Sequence, residues 1–100
     1  MRDLNRTDVD LIKRCLLVAA EAPMFPDWEF ATLFGLERDE VRHVAREWPD
    51  VDDHDEMVVL AVNNSLGNLA GYPHGADLVK TVDATPEQLL DVLNRWQTRQ

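Results

Sequence analysis

The stretch "FATLFGLERDEVRHV" (residues 30–44) decides how the middle of the chain folds. Gly35 interrupts two short segments of helical character. Glycine takes the left-handed conformation that often ends a helix, so it can reverse the chain there. The pattern predicts one helix from about Asp27 to Phe34, with Asp27 as its cap. A second runs from about Arg38 to Glu47 and stops before Pro49. In the second, Val41, Val44, Ala45 and Trp48 fall on one side. Leu36, Val41 and Val44 are placed to plug the angle between the two helices. Ala31 is small where they are expected to cross.

The flanking sequence has the same period. Leu11, Ile12, Cys15, Leu16, Val18 and Ala19 form a broad apolar stripe on a helix from about Asp8 to Ala22. Thr7 is its expected N-cap, and the breadth of the stripe predicts a central position. "APMFP" (22–26) ends it, because neither Pro23 nor Pro26 continues a helix interior. A fourth helix is expected from about Asp55 to Ala70, capped by Asp53 and Glu56 and closed by Gly71 and Pro73. Residues 72–84 read equally as a helical turn or an extended connection. "TPEQ" (85–88) is the clearest helix start: Thr85 caps, Pro86 takes the first helical position and Gln88 completes the box. Leu89, Leu90, Val92, Leu93 and Trp96 line that last helix. Trp28, Trp48 and Trp96 are expected in or at the core. No segment alternates with period two for long enough to argue a strand. The expected architecture is all-α, a single compact domain over residues 1–100 built as a bundle of about five helices.

Charge narrows the function classes. The chain of 100 residues carries a formal net charge of -9. Five acids and no base lie in "PDVDDHDE" (49–56), so over half of that charge sits in one connecting loop. Such a field repels nucleic-acid phosphates and anionic membranes and suits a basic protein partner. The longest apolar run, "CLLVAA" (15–20), is far short of the roughly 20 residues of a membrane span. The N-terminal residues lack a signal-peptide core, so a cytoplasmic location is expected. Cys15, the one cysteine, reads as a buried, inert thiol.

No catalytic set emerges. His43, His54 and His74 lie on three different elements without metal-ligand spacing. "DVDDHDE" (50–56) fails the calcium-loop pattern, with His54 in a ligand place and Asp55 in the glycine place. There is no glycine-rich phosphate loop, and no serine or cysteine has a base nearby in sequence. No enzyme activity, cofactor or metal is expected.

Residues 27–46 resemble the helix-turn-helix unit of bacterial DNA-binding proteins, through Ala31, Gly35, Leu36, Val41 and Val44. The resemblance covers about a fifth of the chain. It implies that the second helix enters a major groove, where Glu37, Arg38, Asp39, Arg42, His43 and Arg46 would meet bases. Arg38, Arg42 and Arg46 stand at i, i+4 and i+8 and would form a basic ridge. Against that, Glu37, Asp39, Glu40 and Glu47 stand among them, and the basic footprint of a DNA reader is missing.

"AVNNSLGNLAGYPHG" (61–75) breaks local helix preferences, since glycine and asparagine are both poor helix formers. Asn64, Gly67, Asn68 and Gly71 share one helical face. Two readings follow. Either small residues admit a neighbouring helix and the asparagines bond a neighbouring turn or the Tyr72–Pro73 backbone, or Asn64, Asn68, Tyr72 and His74 form a binding face. The stretch is similar to segments of small uncharacterised bacterial proteins, a likeness that implies no activity. The leading expectation is therefore a protein that binds another protein or a second copy of itself. That contact would use this asparagine face or an apolar patch near Phe25 and Trp28. The alternative is a DNA-binding transcriptional regulator using Arg38, Arg42, His43 and Arg46.

Overall fold

A computed structural model describes residues 4–21, 26–71 and 81–99 of the chain. Pro23, Phe25, Tyr72, His74, Lys80 and most of the 72–84 connection lie outside the described residues. Five helices and no strand are found among those described: α1 (Arg6–Glu21), α2 (Asp27–Phe34), α3 (Arg38–Glu47), α4 (Glu56–Gly71) and α5 (Pro86–Thr98). The all-α bundle of about five helices is thus the observed architecture. None of these helices is long and apolar enough to cross a membrane.

Local chemistry explains most of the helix ends. Gly35 sits at φ 67 and its N–H returns to the Ala31 carbonyl, closing α2 with a left-handed residue. Thr85 Oγ1 accepts the Gln88 N–H at 3.2 Å while Gln88 Oε1 accepts the Thr85 N–H at 2.8 Å, completing the expected box. Three expected caps are replaced. At α1 the acceptor is Asn5, whose Oδ1 takes the Asp8 N–H at 2.8 Å, so Thr7 lies inside the helix. At α2 Pro26 occupies the cap position without a side-chain bond and Asp27 is the first helical residue. At α4 Asp55 Oδ1 accepts the Met57 N–H at 2.9 Å, in place of the Asp53–Glu56 box. Asp53 is drawn away by Arg99, whose Nε lies 3.6 Å from Asp53 Oδ2 and which also donates to the Asp53 carbonyl.

The core is one continuous cluster that draws on all five helices. Its hub is α4, which packs against every other helix, while the broad stripe of α1 is buried against α3 and α4. Phe30 and Phe34 stack with ring centroids 4.2 Å apart. Leu36, Val41 and Val44 are buried as expected, but Ala31, expected at a close crossing of α2 and α3, is exposed. Trp48 and Trp96 meet at 5.8 Å within the core. Trp28 does not join them; it is 82% exposed. Cys15 is buried, and burial pushes its thiol up to about 12, so it stays protonated near neutrality.

Polar ties then fix the helices relative to one another. Arg95 grips the buried Asp8 with two parallel bonds, 2.7 and 2.9 Å, joining α5 to α1. Lys13 donates to the Ala45 carbonyl and, at 3.2 Å, to that of Trp48, placing a cation at the C-terminus of α3. The indole Nε1 of Trp48 donates to the Val9 carbonyl at 2.9 Å.

Candidate functional site

Three surfaces merit attention: the arginines of α3, the asparagines of α4 and a hollow beside the acidic loop. The arginines do not make a common ridge. Arg38 and Arg42 are half-buried and turn toward the ends of α1 and α2. Arg38 Nε donates to Asp27 Oδ1 at 2.9 Å, its Nη1 to the Ala20 carbonyl at 2.8 Å, and its guanidinium lies 4.4 Å over the Phe30 ring. It thereby neutralises the C-terminus of α1 and ties it to α2 and α3. Arg42 Nε donates to Glu21 Oε1 at 2.7 Å, and its Nη1 reaches Asp39. The hydrogen bond from Arg42 holds the Glu21 carboxyl below its ordinary value. What that pair contributes is present above the usual carboxylate range and lost as pH falls through the lowered value. His43 and Arg46 remain exposed.

The acids around these arginines have structural work of their own. Glu40 Oε1 accepts the Glu37 N–H at 2.9 Å at the start of α3. Acids in a first turn also complement the helix dipole. Local helix physics thus accounts for Glu37, Asp39 and Glu40 in places where a base-reading helix would carry donors.

Asn64 and Asn68 turn inward. Asn64 Nδ2 donates to the Phe34 carbonyl at 2.7 Å, and Asn68 Nδ2 donates to the Leu33 carbonyl at 2.9 Å and to Asn64's own carbonyl at 2.8 Å. The last carbonyls of a helix have no partner within it. Two asparagines one turn apart on α4 supply donors to the end of α2. This is the bonding of a nearby turn, achieved across the fold. It leaves Tyr72 and His74, outside the described residues, as the other half of the binding face inferred from sequence.

The glycines on that face do not serve close approach. A Cβ added at Gly67 would meet nothing within 4 Å. Gly67 is in a helix interior, so Gly67→Ala is expected to stabilise the protein by about 0.5–1 kcal/mol, read as a raised urea midpoint. A loss of stability would show that the site is crowded after all.

The third surface is a hollow of about 270 Å³ between the second half of α3, the 49–55 loop and the start of α4. Val44, Val51, Met57 and Val58 make its apolar wall; Glu47, Asp50, Asp52 and Asp55 supply carboxylates, and His43 stands beside them. His43 thus borders an acidic depression. Sequence reading found the acid run and missed the hollow, because the apolar wall comes from α4 and α3 together.

No family model, curated protein or solved structure matches this chain. Among the described residues no group of three His, Cys, Asp or Glu is close enough to hold a metal ion. The hollow brings carboxylates and an imidazole together, and no serine or cysteine lines it.

Proposed function

We propose that this protein works by binding another protein, in the cytoplasm and without catalysis of its own. Trp28 carries the reading. It is 82% exposed on α2, while Trp48 and Trp96 are buried. A tryptophan offers about 150–250 Å² of surface to bury, and such residues are enriched among the few that dominate binding energy at interfaces. The stretch around it includes Phe25, the other residue of the apolar patch expected from sequence. The acidic balance of the chain favours a basic partner.

The test is affinity capture with wild-type chain and Trp28→Ala, joined to sedimentation velocity for self-association. Trp28→Ala is expected to weaken the contact roughly thirtyfold, from about 2 kcal/mol at such an anchor. A strict monomer that captures no Trp28-dependent partner would end this reading.

The competing reading is a DNA-binding regulator that uses α3, and the tight α2–Gly35–α3 connection is what favours it. It requires Arg38 and Arg42 to leave Asp27 and Glu21 for phosphates. Mobility shift at low salt separates the two. Retention that falls steeply with salt and with Arg42→Ala supports DNA binding, while no retention leaves the protein-binding reading in place.

A further inference from the structure

We propose that the hollow beside the acidic loop receives one arginine or lysine side chain of a protein partner. This rests on the protein-binding reading and gives it a second contact, on different elements from Trp28. At about 270 Å³ the hollow is a little smaller than the roughly 300 Å³ at which small-molecule sites begin, so it suits a side chain. Its apolar side is built from Val51 and Met57, half-buried, over the buried Val44 and Val58.

Charge complementarity names the occupant. Among the described residues, Glu47, Asp50, Asp52 and Asp55 meet no cation. The ion pairs of Arg38, Arg42, Arg95 and Arg99 go to Asp27, Glu21, Asp39, Asp8 and Asp53. Lys13 is spent on the carbonyls that end α3. Asp52 and Asp55 each give one oxygen to a backbone N–H, of His54 and Met57, and keep the second. A concave surface lined by one sign of charge concentrates the field and attracts the opposite sign.

The carboxylates are also too dispersed to close on a point charge, since no three of them can hold a metal ion. A guanidinium or ammonium on an aliphatic stem satisfies both halves of the site. The stem lies along Val51 and Met57, and the cationic head reaches the carboxylates.

The experiment is a two-dimensional amide NMR titration of the full chain with acetyl-Leu-Arg-Leu-amide. The same peptide with Glu in place of Arg is the control. Saturable shifts are expected at Val51, Asp52 and Met57 with the Arg peptide and none with the Glu peptide. Glu47→Gln combined with Asp50→Asn, both exposed positions, should weaken the interaction about fivefold with an unchanged circular dichroism spectrum. Shifts scattered over the surface, or unaffected by that double variant, would overturn the assignment. So would calcium chloride producing the same saturable shifts and displacing the peptide, which would make the hollow a metal site. The Trp28→Ala chain should bind the peptide as wild type does. If the hollow stays silent while Trp28-dependent capture persists, only the hollow falls; if both are lost, the protein-binding reading falls with it.

Discussion

Trp96→Ala is expected to remove about 3–5 kcal/mol of stability, the cost of deleting a large aromatic from a packed core. Trp96 is fully buried, and its ring meets that of Trp48 at 5.8 Å, joining α5 to the end of α3. It is also a platform. The Arg99 guanidinium lies 3.5 Å from the ring centroid and from there pairs with Asp53 in the acidic loop. Removing the indole therefore opens a cavity and releases a cation whose side chain is only 8% exposed. Domains of this size are stable by about 5–15 kcal/mol, so the loss takes roughly a fifth of the margin or more. Urea unfolding followed by far-ultraviolet circular dichroism measures it. Trp96→Phe should cost much less, because a ring stays in place and the indole N–H it removes has no partner among the described residues. A Trp96→Ala protein within about 1 kcal/mol of wild type would contradict the packing described.

Asn64→Ala and Asn68→Ala should each cost about 0.5–2.5 kcal/mol net. A carbonyl that loses its donor costs about 1–3 kcal/mol, and alanine returns roughly 0.5 kcal/mol of helix propensity. The loss should be local, with faster amide hydrogen exchange in α2, because the two side chains hold the Leu33 and Phe34 carbonyls. Asn64→Asp should be worse than Asn64→Ala, since a carboxylate cannot donate and would face a carbonyl. The double alanine variant also decides what the face is for. Unchanged stability with lost partner capture would restore it as a binding surface. Lost stability with retained Trp28-dependent capture would assign it to the fold.

Much of the secondary structure was legible in the chain. The span Asp27–Phe34, the turn at Gly35, the span Arg38–Glu47 and the Thr85–Gln88 start all depend on residues within four positions of each other. Two of the three cap differences share a cause. Thr7 lost to Asn5, and Asp53 to Asp55, because several Asx or Thr side chains compete for one cap and distant partners choose among them. Asp53 is held by Arg99, 46 residues away. Trp28 falls at a helical edge and reads from sequence as a core or part-core residue, yet it is exposed. Which stripe of a helix is covered depends on what packs against it, and the hub proved to be α4, despite its asparagines and glycines.

The candidate sites were legible only as residue types. Arg38, Arg42, Asn64 and Asn68 stand out in the sequence, yet each finds a partner that spacing could not name: Asp27, Glu21, Phe34 and Leu33. Sequence by itself determined five helices, their apolar stripes and the concentration of acid in one loop. These follow from hydrogen bonds and periodicity over one or two turns. Tertiary structure alone decided which polar side chains are spent within the fold and which face outward. A bond such as Arg95 to Asp8 spans 87 residues, and it exists only once packing has brought α5 against α1.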